Sequence, residues 1–328
     1  MKPRRWAVAL LGVAGLVVAA FLLSPWPSIL IIRAVFDRGA ASASQKLEKH
    51  VPQDVTVRTF RYAPNYKHAL LDIYRSANTP QGSPLIVWVH GGGFVSGARG
   101  NVANYAKVLA GRGFTVANVD YTIAPDAIYP TPIRQVSKAL AFLQANQARL
   151  GIDARRIVLA GDSAGAQIAA QTAAITVDPA YASRVGVRGE VFPAAIAGVL
   201  LYCGVYDVTE LGGGGVLGWF VGSTTWAYSG KRNWRDAKGF DTISVVGNVT
   251  GAFPPAFISA GNADPLGPQS VALAKALKAR TGKVETLFFP PDYAPPLGHE
   301  YQFDLDIPAG RLALERSVGW LKALPARP

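Results

Sequence analysis

From Val55 onward, short runs of aliphatic and β-branched residues alternate with segments of helical periodicity. This alternation restricts the available folds more than any other feature. Strands are expected at Val55–Tyr62, Leu70–Tyr74, Leu85–Val89, Phe114–Val119, Arg156–Ala160, Ile196–Tyr202, Ala256–Ala260 and Val284–Phe289. Leu85-Ile86-Val87-Trp88-Val89 is apolar throughout, as a strand covered on both faces must be. Helical spacing marks Asn101–Ala110, Thr131–Leu150, Ser270–Arg280 and Arg311–Leu324, and Ala164–Ala174 is rich in alanine. Strands separated by helices predict an α/β protein: a mostly parallel eight-stranded sheet with helices on both faces. In such sheets the ligand site lies beyond the carboxyl ends of the strands.

Of the 328 residues, 50% are apolar and 16% charged. Such a chain buries a sizeable core, which excludes disorder over most of its length. The formal net charge is +12. The basic residues are scattered, apart from Lys2-Pro3-Arg4-Arg5 and Lys231-Arg232. No nucleic-acid partner is expected, because that would need a basic stripe or tail. Cys203 is the single cysteine. An intramolecular disulfide and a zinc site of the Cys₄ or Cys₂His₂ type are therefore excluded. Its apolar setting, Val199-Leu200-Leu201-Tyr202-Cys203, predicts a buried, inert thiol.

Trp6 to Leu23 is an uninterrupted apolar run. As a helix it would extend roughly 27 Å at 1.5 Å per residue, close to the hydrocarbon thickness of a bilayer. Lys2, Arg4 and Arg5 precede it and Pro25 and Pro27 follow. This predicts an uncleaved transmembrane anchor with the domain that follows it extracytoplasmic. Cleavage and secretion is the alternative, although Ser24-Pro25-Trp26-Pro27 fits a signal-peptidase site poorly. The expected organisation is an anchor with an interfacial segment over residues 1–36, a linker over 37–54, and a domain over 55–328.

Four strand ends carry chemistry. Gly161-Asp162-Ser163-Ala164-Gly165 follows one strand and opens a helix, the setting of a nucleophile elbow. His90-Gly91-Gly92-Gly93 follows another, where closely approaching backbone N–H groups stabilise an oxyanion. Gly91, Gly92 and Ala164 are the expected donors, with His90 and Gly93 shaping the loop. A phosphate-binding reading fails because the Lys-Ser/Thr of a P-loop is missing. Asp264 and His299 stand after the last two strands, so the chain order is Ser163, Asp264, His299.

Together these residues resemble the hormone-sensitive-lipase-like branch of the α/β-hydrolase esterases. Tyr121-Thr122-Ile123-Ala124-Pro125 is similar to that branch's Tyr-Arg-Leu-Ala-Pro segment, with Thr122 where arginine is usual. Gly204-Val205-Tyr206-Asp207 is similar to a segment of arylformamidase-like and small carboxylesterase relatives. The resemblance implies the α/β-hydrolase fold and cofactor-free hydrolysis of a small acyl ester, without metal, by Ser163, Asp264 and His299. Amide or formamide hydrolysis uses the same parts and is the enzymatic alternative. An inactive, membrane-anchored binding module is the alternative of another class. Residues 205–251, with Trp219, Phe220, Trp226 and Trp234, form either a lid lining an acyl site or the core of an ordinary helical insert.

Overall fold

The computed structural model describes residues 3–325. Two helices come first, α1 (Pro3–Leu23) and α2 (Trp26–Leu47). The strands are β1 (Val55–Arg61), β2 (Leu70–Ser76), β3 (Leu85–Val89), β4 (Thr115–Val119), β5 (Ile157–Asp162), β6 (Ile196–Tyr202), β7 (Ala256–Ala260) and β8 (Val284–Phe288). Between and after them run α3 (Ala103–Gly111), α4 (Thr131–Ala145), α5 (Gln147–Leu150), α6 (Ser163–Val177), α7 (Pro179–Val185), α8 (Gly215–Ser229), α9 (Gly267–Thr281) and α10 (Pro308–Ala323). The strands form one sheet in the order β1-β2-β4-β3-β5-β6-β7-β8. β2 runs antiparallel to both its neighbours, and every pair from β4 to β8 is parallel.

Alternate side chains of β3 serve two cores. Leu85, Val87 and Val89 join Val136, Leu140, Ile168 and Leu277 of α4, α6 and α9 on one face. Ile86 and Trp88 join Tyr105, Leu109, Leu314 and Leu321 of α3 and α10 on the other. The expected α/β sheet is thus present, with small differences in its helices. The segment 131–150 divides at Asn146, whose side-chain amide donates to the Phe142 carbonyl (2.8 Å) and satisfies the end of α4. The unanticipated α7 starts at Asp178-Pro179, where Asp178 accepts from the N–H groups of Ala180 and Tyr181.

The N-terminus departs most from expectation. No single helix among the described residues is long and apolar enough to cross a membrane. Instead α1 meets α2 at a bend of 83°, and only the bent pair together has the required length and hydropathy. The linker expected over 37–54 is mostly helix, because α2 continues to Leu47 and a 3₁₀ turn to His50. α2 is also fastened to the domain. Arg33 donates to the carbonyls of Val95 (2.6 Å) and Ala124 (3.0 Å), Ser96 donates to Asp37 (2.9 Å), and Asn104 donates to the Ser44 carbonyl (2.9 Å). Ile29, Ile32 and Leu47 are buried, each side chain stabilising the docked helix by roughly 1.5–3 kcal/mol.

Candidate active site

Ser163 stands at the junction of β5 and α6 with φ of 50°, a left-handed backbone that a non-glycine residue adopts only under constraint. The turn is tight enough to require both flanking glycines. A Cβ at Gly161 would lie 2.6 Å from the Gly165 carbonyl, and one at Gly165 would collide with the Val89 carbonyl oxygen. The strain lifts the hydroxyl toward the loop after β8, where His299 lies. The Ser163 Oγ to His299 Nε2 distance is 3.0 Å, and His299 Nδ1 is 3.0 Å from Asp264 Oδ1. The loops after β7 and β8 hold this alignment against each other. Ala263 N–H donates to the Leu297 carbonyl (2.9 Å), and Leu297 N–H to Asn262 Oδ1 (2.9 Å).

Burial acts to lower the His299 pKa. Hydrogen bonding to Asp264 and Cys203 and the nearby Glu300 charge outweigh it, so the imidazole stands well above its ordinary value. Burial raises the Asp264 carboxyl, but its bond to His299 and the Leu266 N–H hold it below the usual range. An electrostatic pair of this kind keeps Asp264 ionised and favours imidazolium, which suits proton transfer from the serine hydroxyl.

The glycine loop is organised differently from expectation. Gly91 N–H donates to Asp162 Oδ2 (2.8 Å), while Trp88 Nε1 donates to Asp162 Oδ1 (2.8 Å). Gly91 is therefore spent on fixing the loop to the nucleophile turn, and its N–H is not open to an oxyanion. Gly92 and Gly93 take positive φ values of 106° and 60°, and among the described residues neither N–H finds a backbone or side-chain acceptor. Ala164 N–H lies in the first turn of α6, whose N-cap Asp162 gives no side-chain cap. His90 is buried and stacks on Tyr121 (ring centroids 4.3 Å apart), and the Tyr121 hydroxyl donates to the His90 carbonyl (3.0 Å). Burial pushes the His90 imidazole below its ordinary value against the pull of Asp120, so it shapes the loop as a neutral ring.

Three participants escaped sequence reasoning. Glu300 follows His299 in left-handed backbone (φ 59°), and its Oε1 reaches within 3.6 Å of His299 Nε2. Cys203 is buried as expected, yet it is not remote. Its Sγ accepts from Glu300 N–H (3.4 Å) and the thiol donates to Gln302 Oε1 (3.3 Å). Ligand atoms of Cys203, Asp264 and His299 lie within 4.8 Å of one another, the only such three-residue group among the described residues. His299 and Asp264 already share a hydrogen bond there. The third participant is α2. With α8 it walls a cavity of about 790 Å³ that reaches Ser163 and His299. Ile32, Phe36 and Ala40 come from α2 and Leu217 and Phe220 from α8, with the Phe36 and Phe220 rings 5.4 Å apart. The aromatics of the 205–251 insert therefore divide. Phe220 and Trp219 line the cavity, whereas Trp234 packs on Phe240.

Comparison with known proteins agrees with this architecture. The model of the BD-FAE family matches residues 71–277. Esterase LipC of Mycobacterium tuberculosis is 32% identical over 141 residues, 42% of this chain and 34% of that protein. Esterase LipQ of the same organism is 28% identical over 223 residues, 66% of this chain and 51% of that protein. The chain thus spans a third to a half of the length of the curated relatives it matches. Esterase B from Lactobacillus rhamnosis has a TM-score of 0.75 at 25% identity, covering 90% of this chain and 95% of that one. That enzyme has also been solved inhibited by a tributyrin phosphonate.

Proposed function

Because the chain belongs to the BD-FAE family, with the α/β-hydrolase fold and hormone-sensitive-lipase-like esterase relatives, we propose that it hydrolyses carboxylic esters through Ser163. The observation that carries this reading is the pair of 3.0 Å contacts from Asp264 through His299 to Ser163 at the mouth of an apolar cavity. His299 takes the serine proton as Oγ attacks the acyl carbon, and Asp264 holds the ring with its proton on Nδ1. The oxyanion is received by the N–H groups of Gly92, Gly93 and Ala164, with Gly91 replaced by Gly93 in that role. His299 returns the proton to the departing alcohol. A water then attacks the acyl-enzyme with the same imidazole as base, releasing the acid and restoring Ser163.

The apolar wall supplied by α2 and α8 favours the acyl side of an ester over a polar peptide. Amide and formamide cleavage uses the same groups and is the alternative that a parallel assay decides. The N-terminal helix α1 serves as a membrane attachment in this reading, supported by its apolar sequence and its exposed side chains. A fluorophosphonate probe is expected to label the protein at Ser163, and p-nitrophenyl esters of graded chain length to be turned over. Neither labelling nor turnover on any ester would end the esterase reading.

Glu300 gives this mechanism a pH signature. Only neutral His299 accepts the serine proton, so kcat/KM rises with pH through the imidazole titration, above the ordinary 6.5. Replacing Glu300 by glutamine removes a negative charge that favours imidazolium. The folded pKa falls, and the limb moves to lower pH while kcat on its plateau changes little. A limb that stays put or moves upward in the pH–rate profile of E300Q would show that Glu300 does not act on His299.

A further inference from the structure

The exposed apolar side chains of this protein are not spread evenly. Most of the large ones among the described residues lie on α1, α2 and α8, while the other helices contribute one each at most, Val271 on α9 and Leu312 on α10. On α1 they point to every side: Leu10, Leu11, Val13 and Leu16 are all more than half exposed. On α2 and α8 they form the rim of the cavity. Ile31, Val35, Val216 and Trp219 line it and are also exposed. The same surface therefore surrounds the entrance to Ser163 and continues onto α1. The junction is closed by specific contacts. Trp219 Nε1 donates to Ser28 Oγ (3.2 Å), and Arg232 Nη1 donates to the Leu22 carbonyl (2.9 Å).

We propose that this rim docks on a lipid layer and that the substrate is an ester held in that layer. Its acyl chain would pass between α2 and α8 to Ser163 without crossing bulk water. The proposal rests on the reading of Ser163 as nucleophile. Lipid is favoured as occupant by the distribution around α1. A protein groove covers one face of a helix, whereas an apolar surface on all sides is covered by a surrounding apolar phase. The flanking chemistry agrees. Trp26 stands at the α1–α2 bend, and Arg232 stacks over Trp226 (5.6 Å) with Lys231 beside it just beyond the end of α8. Tryptophan with arginine and lysine is the composition that settles at the headgroup level of an anionic bilayer. The net charge of +12 acts in the same direction. The 83° bend places α2 across the direction of α1, so an inserted α1 leaves α2 and the cavity rim lying along the interface.

The test uses the full chain and vesicles of phosphatidylcholine with phosphatidylglycerol. Cys203 is the only native cysteine and is buried, so an introduced cysteine takes a fluorophore selectively. A label at Leu30→Cys, which is exposed beside the rim, should be quenched by nitroxide-bearing lipids, and a label at Leu312→Cys on α10 should not. In a second arm, the double variant Leu23→Asp/Leu30→Asp should hydrolyse a soluble acetate ester at the unaltered rate. It should lose about tenfold or more on a long-chain umbelliferyl ester embedded in the vesicles. An unquenched label at position 30, equal quenching at 30 and 312, or an unchanged rate on the embedded ester would overturn the docking proposal. If the unaltered protein turns over no ester at all, the hydrolase reading fails instead, and the quenching pattern still decides whether the rim meets lipid.

Discussion

Replacing Ser163 by alanine is expected to lower kcat on every ester substrate by on the order of 10⁵–10⁶-fold, the scale seen when a serine hydrolase loses its nucleophile. The residue's only side-chain partner among the described residues is His299 Nε2, so little packing goes with the hydroxyl. Alanine keeps the Cβ, and the elbow's positive φ is enforced by the close approach of Gly161 and Gly165 rather than by the serine oxygen. The fold should persist, with a melting temperature within a few degrees of the parent. Fluorophosphonate labelling should vanish with the activity. The Gly92, Gly93 and Ala164 donors remain in S163A, so residual hydrolysis of roughly 10³–10⁴ over water is compatible with the mechanism. Turnover within tenfold of the parent, measured on protein free of contaminating esterase, would place the nucleophile elsewhere.

How much of this was legible beforehand depends on what fixes each feature. The central strands were readable because β3, β5 and β6 are buried on both faces, so their residues are apolar up to Asp162 and Tyr202 at the carboxyl ends of β5 and β6. The meeting of Ser163, Asp264 and His299 was readable because a parallel sheet puts the residues after its strands at one edge. Which of three adjacent glycines has its N–H engaged within the protein was not readable, since composition treats them alike. The difference is made by a tertiary contact, the Asp162 carboxylate crossing from β5 to Gly91 beyond β3. The reach of the Glu300 carboxylate to His299 Nε2 and the contacts of Cys203 with Glu300 and Gln302 gave no pattern either, because they are tertiary contacts set by the fold.

The full extent of α2 is obscured in the sequence for another reason. Averaged hydropathy divides it into an apolar first half and a polar second half, suggesting an interfacial stretch and a linker. Among the residues that pack or line the cavity are Ile29, Ile32, Phe36, Ala40, Ala43 and Leu47, bordered by Ile31, Val35, Gly39 and Ser44. The first six recur at intervals of three or four, so a helical stripe was present across the polarity change. This alters what a truncation would test. A chain beginning near Ser42 cuts through α2, removing Arg33 with its bonds to Val95 and Ala124 and the Phe36 wall of the cavity. α1 is removed without cutting α2 only if the cut falls before Trp26.

Asp264→Ala should cost about 10⁴-fold in kcat, comparable with loss of the acid in other serine hydrolases. Without the carboxylate nothing fixes the proton on Nδ1 or stabilises the imidazolium. Asp264→Asn is the more informative variant here. In this site Asp264 Oδ1 accepts both His299 Nδ1–H and the Leu266 N–H (2.9 Å), while Oδ2 is buried without a hydrogen-bond partner among the described residues. An asparagine can keep its carbonyl oxygen at the Oδ1 position and turn its amide nitrogen toward the Oδ2 position. Turning the amide the other way would set its N–H₂ against the Leu266 N–H, donor against donor. The productive tautomer of His299 is therefore retained and only the charge is lost. The loss in D264N should be smaller than in D264A. The pH limb should move to lower pH, because the bond from Asp264 is among the influences that raise the His299 pKa. Equal losses in the two variants, without a shift in the limb, would mean that the amide has turned its nitrogen to the ring and imposed the wrong tautomer.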